Sequence, residues 1–335
     1  MRSVPDGAIR LLGLFLTVAL SAQEAGDLFS HERWDDAGPE LPAGLDWNVG
    51  GIAVVGDVDG DGNEDLAAWV ADANLAPALA LLFLDGRGDV VSSTEVALPA
   101  QVTQAFGSLP VSFLPAYAVG DVNRDGTPDL GVVAVGGVSF VHLSPDGGVV
   151  GSSTDTALQG DVVHADVVGD VDGDGVDDLV CSNGTLLFLD ATGAIRAEVD
   201  VGAGPESPVS VAGLGDLDAD GTPDAAFGVG DGVFRVIHLA PDGTARQVTE
   251  HATGHGVLDV SVAAWDLDGD GSRELAVRTT DDVFVTRITT HFLRGDGSIA
   301  SSGRVSSPED LAGGLFWGRR MDGASDGRLL VSGFT

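Results

Sequence analysis

Asp57-Val58-Asp59-Gly60-Asp61-Gly62-Asn63-Glu64-Asp65 stands between two apolar runs, Gly51–Val55 and Leu66–Val70. The pattern Asp-x-(Asp/Asn)-x-Asp-Gly-x-x-(Asp/Glu) returns at Asp121, Asp170, Asp216 and Asp266. Each copy is again flanked by short apolar runs. Ala116–Val119, Val163–Val168, Val209–Leu214 and Val260–Trp265 come before the later loops; Leu130–Val135, Leu179–Cys181, Ala225–Val229 and Leu275–Val277 follow them. Copies recur about every 50 residues, a period that suits a solenoid or a propeller.

Each unit carries four strand-like runs. The third run enters a Gly-containing turn: Leu84-Asp85-Gly86, Pro145-Asp146-Gly147, Asp190-Ala191-Thr192-Gly193, Pro241-Asp242-Gly243 and Gly295-Asp296-Gly297. Asp-Gly supplies the positive φ that tight hairpins require. A more polar fourth run follows, as in Val90–Val96 and Ala194–Val201. No stretch shows sustained helical periodicity with caps. The expected fold is therefore all-β: a β-propeller of four-stranded blades, with the acidic loop between first and second strands. Six blades are favoured. Residues 317–335 resemble a decayed sixth unit, and residues 26–50 are available to complete it. Seven is the alternative, because the long first spacing has room for a degenerate unit around Val102–Pro115.

The loop has the chemistry of a hard-cation site. Calcium takes about 6–8 oxygen ligands from carboxylates, carbonyls and water. Alternate residues of a tight loop can aim inward at one point, and Gly at the sixth position lets the backbone reverse. The candidate ligands of the first loop are Asp57, Asp59, Asp61, the Asn63 carbonyl and Asp65. In the second they are Asp121, Asn123, Asp125, Thr127 and Asp129; in the third, Asp170, Asp172, Asp174, Val176 and Asp178. The fourth offers Asp216, Asp218, Asp220, Thr222 and Asp224, and the fifth Asp266, Asp268, Asp270, Ser272 and Glu274. An EF-hand needs a bidentate acid at its twelfth position on a helix. The residues there are Ala68, Val132, Cys181, Phe227 and Val277, so the chain leaves each loop on a strand. The apolar second position (Val58, Val122, Val171, Leu217, Leu267) should pin each loop to the core. The second loop should bind more weakly, with Asn123 replacing a carboxylate and Arg124 beside it. The degenerate unit has Ala324 and Leu330 in place of ligands and should be empty.

The chain has 335 residues, a formal net charge of −36, and 16 basic residues, all of them Arg. Nucleic acid and anionic membrane surfaces, which need basic clusters, are not expected partners. Residues 1–22 read as a secretory signal: Arg2 and Arg10, the apolar run Leu11–Leu20, then small residues at Ala19–Ala22. Residues 23–50 form an N-terminal segment, and 51–335 the propeller. No later segment is long and apolar enough to cross a membrane. Cys181 is the single cysteine, so no disulfide can staple the chain and bound metal is the natural substitute.

The motif Gly-Asp-(Val/Leu)-(Asp/Asn)-x-Asp-Gly-x-x-Asp, at Gly56–Asp65, Gly120–Asp129, Gly169–Asp178 and Gly215–Asp224, resembles the FG-GAP/VCBS-type repeats of calcium-binding, integrin-α-like propellers. Trp265–Glu274 departs from it at both ends. The resemblance spans about residues 51–335. It implies a propeller, more often of seven blades, with calcium in its loops. It also implies a choice among adhesion modules, lectin-like sugar binders and polysaccharide lyases.

Other motifs are weaker. His142 and His238 share a repeat position with Phe83 and Phe188, which reads as packing. His251 and His255 lack an acidic neighbour pattern. Two Arg-Gly-Asp tripeptides, Arg87–Asp89 and Arg294–Asp296, fall in hairpin turns where Gly and Asp are needed anyway. Among Trp34, Trp47, Trp69, Trp265 and Trp317, which could stack on sugars, Trp69 and Trp265 sit in strand runs and read as core. The expectation is an exported, bacterial, calcium-bound propeller (about five ions) used as a non-enzymatic binding or adhesion module for an extracellular protein or glycan. A lectin is the first alternative and a polysaccharide lyase the second.

Overall fold

A computed structural model describes residues 13–19, 30–34, 45–46, 52–72, 77–86, 90–98, 116–134, 137–155, 164–202, 208–230, 232–253, 257–266, 272–281, 286–305, 321–323 and 328–334. Every regular element among them is a strand. Among the described residues no helix is long and apolar enough to cross a membrane.

The N-terminal strands are β1 (Gly13–Ala19), β2 (Ser30–Trp34) and β3 (Leu45–Asp46). The five acidic repeats then build five antiparallel blades. Blade one comprises β4 (Ile52–Gly56), β5 (Asp65–Asp72), β6 (Pro77–Leu84) and β7 (Val90–Val96), with β3 also paired to β5. Blade two is β8 (Ala116–Ala118), β9 (Leu130–Ala134), β10 (Gly137–Leu143) and β11 (Val149–Asp155). Blade three is β12 (Ala165–Gly169), β13 (Asp178–Cys181), β14 (Thr185–Leu189) and β15 (Ile195–Asp200). Blade four is β16 (Pro208–Gly215), β17 (Asp224–Val229), β18 (Val233–Leu239) and β19 (Ala245–Ala252). Blade five is β20 (Val257–Trp265), β21 (Glu274–Asp281), β22 (Thr286–Leu293) and β23 (Ile299–Val305).

The count corrects the sequence reading: the described residues form five repeat blades, neither the six favoured nor seven. The C-terminal strands β24 (Met321–Gly323) and β25 (Arg328–Phe334) do not extend the repeat. They lie in a sheet of order β2-β1-β25-β24, drawn from both ends of the chain. Its β24 packs on β20 of blade five and β4 of blade one. The physical reason is that this unit lacks the carboxylates that tie a blade's first strand to its hairpin, and it has only two strands of its own. The degenerate unit postulated around Val102–Pro115 lies outside the described residues.

The core lies between blades rather than inside them. Trp69, Leu79 and Leu81 of blade one meet Leu130, Val132 and Val141 of blade two. Phe140 of blade two meets Leu179 and Leu187 of blade three. Phe188 meets Phe227 and Ile237 across the next interface, and Phe234 meets Val262 and Leu275 across the last of the four. Second strands are covered on both faces, so β13 and β17 are buried at every residue. The outer strands β15 and β19 face water along most of their length, which explains why their sequence is polar. Val58, Val122 and Val171, at the second loop position, are buried in these interfaces as expected.

Candidate metal centres in the blade loops

Each acidic loop joins a blade's first strand to its second. In the four loops described throughout, one hydrogen-bond scheme repeats. The first aspartate accepts the N–H of the sixth-position glycine: Asp57 Oδ2 from Gly62 at 2.9 Å, Asp121 from Gly126 at 2.8 Å, Asp170 from Gly175 at 2.8 Å, Asp216 from Gly221 at 2.9 Å. The fifth-position carboxylate accepts the seventh N–H, from Asn63 at 2.8 Å and from Thr127, Val176 and Thr222 at 2.9 Å. These bonds curl the chain around a point faced by the carboxylates of positions one, three and five in the first and fourth loops, and of positions one, three and nine in the third.

The ninth-position aspartate is buried and ties two distant backbone segments together. Asp65 accepts Val58 N–H at 2.9 Å and Leu84 N–H at 3.0 Å. Asp178 accepts from Val171 at 2.9 Å and Leu189 at 3.1 Å; Asp224 accepts from Leu217 and Leu239, both at 3.1 Å. Asp129 holds Leu143 N–H at 3.0 Å. The loop is thereby fastened to the far end of the blade's third strand. Burial pushes the Asp65 and Asp178 carboxyls up to about 6. Burial also raises Asp129 and Asp224, opposed by the histidines described below.

The carboxylates are crowded. Ligand-capable atoms of Asp57, Asp59 and Asp61 lie within 4.8 Å of one another, as do those of Asp170, Asp172 and Asp178, and of Asp216, Asp218 and Asp220. Asp57 Oδ1 and Asp218 Oδ1 are buried and accept no hydrogen bond. A buried carboxylate oxygen without a partner costs about 1–3 kcal/mol or more, and a cation at that point would remove the cost and the mutual repulsion. The donor set is all oxygen, which fits a hard divalent ion.

Of the fifth loop, Asp266, Ser272 and Glu274 are described, and Glu274 is buried in β21. Asp268 and Asp270 lie outside the described residues, as do Leu267 and the ligand-replacing Ala324.

Three features were not read from the sequence. The fourth loop position is left-handed in each fully described loop: Gly60 at φ 77°, Arg124 at 58°, Gly173 at 76° and Ala219 at 59°. Arg124 is therefore more than a charge beside Asn123; its guanidinium also reaches the Gly175 carbonyl of the next loop. Second, His142 Nδ1 lies 3.1 Å from Asp129 Oδ2, and His238 Nδ1 lies 3.0 Å from Asp224 Oδ2. These histidines do pack where Phe83 and Phe188 pack in blades one and three, and each also lies at hydrogen-bond distance from the ninth-position aspartate. His238 joins Asp218 and Asp224 in a further group of ligand atoms within 4.8 Å. Third, Arg196 and Arg246 reach over loops three and four from the outer strands.

The remaining candidates fall elsewhere. His251 Nε2 lies 2.8 Å from the Gly297 carbonyl, and its ring stacks on Phe234 at 4.8 Å. His255 is outside the described residues, as are Arg87–Asp89, Trp47 and Trp317. Arg294–Asp296 does sit in the blade-five hairpin turn, where Gly297 N–H bonds to the Arg294 carbonyl at 2.8 Å. Trp69 is fully buried in the first interface, so it is core and not a sugar platform.

The fold and these loops define a repeat β-propeller. An FG-GAP-like repeat model matches residues 216–277, which run from the fourth loop through blade four into β21. That stretch is similar to FG-GAP-like repeats, and the strand pairing makes the chain a β-propeller. No curated protein matches the sequence. Similar solved structures include BBS1N in complex with ARL6DN, at 13% identity over 87% of this chain and 95% of that one, with TM-score 0.42. The WD40 domain of Toxoplasma gondii coronin has 14% identity over 76% of this chain and 58% of that one, with TM-score 0.44. AofleA from Arthrobotrys oligospora has 10% identity, 84% and 78% coverage, and TM-score 0.47. The fold assignment rests on the strand pairing above.

Proposed function

We propose that the protein is an exported calcium-binding propeller that serves as a non-enzymatic binding module for an extracellular protein or glycan. The observation that carries the metal assignment is the pair of buried carboxylate oxygens, Asp57 Oδ1 and Asp218 Oδ1, left without partners inside crowded acidic loops. Ligands at positions one, three, five and nine, with the seventh carbonyl, would enclose the ion. Binding would neutralise part of the −36 net charge and hold the first strand, loop and hairpin of a blade together. Export rests on the leader-like residues 1–22, and a mature N-terminus at residue 23 would support it.

Calorimetric titration of calcium into the chelator-stripped protein tests the metal assignment. We expect about five sites and a melting temperature that drops on chelation. An absence of binding heat, with melting unchanged in chelator, would defeat it.

A further inference from the structure

Every blade bends at the same place. The pairing of third and fourth strands slips between Phe83 and Leu84, His142 and Leu143, Phe188 and Leu189, His238 and Leu239, and Phe292 and Leu293. On the opposite strand the unpaired bulge residue is Val91, Val150, Arg196, Arg246 or Ala300. A bulge re-aims its side chain, and in blades three and four it aims toward the blade's own acidic loop. Where the residue is Arg, the guanidinium lands on the third- and fifth-position carboxylates. Arg196 Nη2 contacts Asp172 and lies 3.3 Å from Asp174. Arg246 contacts Asp218 through Nη2 and Asp220 through Nη1. The same pair of carboxylates is bridged in both blades. In blade three the guanidinium also lies over the Phe188 ring, 5.8 Å from its centroid.

We propose that Arg196 and Arg246 are built-in counterions for loops three and four, which a divalent cation must displace before it can bind there. This rests on the calcium reading. Guanidinium does not lose its proton in proteins, so it competes as a permanent cation for two of the oxygens that the metal needs. Both arginines are close to half exposed, at 46% and 43% of the side chain, so each can swing into water when displaced. The loops then fall into two classes. Loop one, whose blade carries Val91 at the bulge, has no such arginine and has the larger incentive to take an ion. Loops three and four are part-neutralised without metal and bind more weakly.

The test titrates calcium into the chelator-stripped full chain and into the Arg196→Gln/Arg246→Gln and Val91→Arg variants. These are exposed outer-strand positions, so folding is preserved. In the double variant two sites should tighten roughly tenfold, and the metal-free protein should melt lower while the calcium-loaded protein does not. Val91→Arg should weaken one site by a similar factor. Calcium binding that is unchanged in both variants would overturn the arginine role and leave the metal assignment standing. No calcium heat from any of the three proteins would overturn both.

Discussion

The fourth loop position shows how one backbone angle constrains residue choice. Gly60 and Gly173 meet the left-handed requirement without a side chain, and a Cβ added at either would touch nothing within 4 Å. Ala219 and Arg124 adopt the same angle with a Cβ, at a cost of about 1 kcal/mol each. Ala219→Gly should therefore raise stability by up to about 1 kcal/mol, and Gly173→Ala should lower it by about as much. Urea denaturation of the two variants checks both signs; a destabilised Ala219→Gly would contradict the strain argument. The ninth position should respond far more strongly. Asp224→Ala strands the part-buried N–H of Leu217 and the buried N–H of Leu239, and removes the buried partner of His238. Two or more lost buried partners predict a loss of about 3–5 kcal/mol, measurable as a fall in the denaturation midpoint. The acids at these positions were legible from spacing alone. Their hydrogen-bond duty was not, because the groups they hold, Leu84, Leu143, Leu189 and Leu239, lie a full strand pair away in sequence.

Strands were more readable than their connections. The short apolar run after each loop marked β5, β9, β13, β17 and β21, because strands buried on both faces read as nearly unbroken apolar stretches. The outer-hairpin bulge left no trace of that kind. Val91, Val150, Arg196, Arg246 and Ala300 share no chemistry, so only strand register reveals that they occupy one position. The second strands are also where access to solvent is least. Cys181 closes β13, is buried, and burial pushes its thiol up to about 12. It should react with a thiol reagent only after blade three opens. Stopped labelling at increasing denaturant should follow the unfolding curve; full modification of the native protein would show that β13 is not sealed.

For the molecule as a whole, the acidic loops set the response to pH. Asp65 and Asp178 have folded-state values of about 6 against an ordinary 3.8. Their protonated forms are thus favoured by folding, and without metal their contribution falls as pH rises from about 4 through 6. His291 acts oppositely: burial lowers it to about 4, so its contribution is lost as pH falls from 6.5 toward 4. The carboxylates outnumber it. The chelated protein should therefore melt higher near pH 5 than near pH 7.5, and saturating calcium should reverse that order. Melting curves at the two pH values, with and without the ion, decide the matter. The number of blades was the part of the architecture least legible in sequence. Five loops announce five blades, yet residues 317–335 mimic a sixth closely enough to mislead, since two strands and an Asp-Gly turn look alike whether or not they are fastened by carboxylates.

The sheet drawn from both chain ends has a mechanical consequence. Strand β1 runs antiparallel to β25, with Gly13 opposite Phe334 and Ala19 opposite Arg328. The two termini therefore leave the ladder at one end. Tension applied between them loads a single rung at a time, like a zipper pulled from its open end, instead of shearing all seven rungs together. A chain that keeps residues 1–22 should yield first at that seam, at low force, while the five wedges beyond it still hold; cleavage after Ala22 would take β1, and the seam, with it.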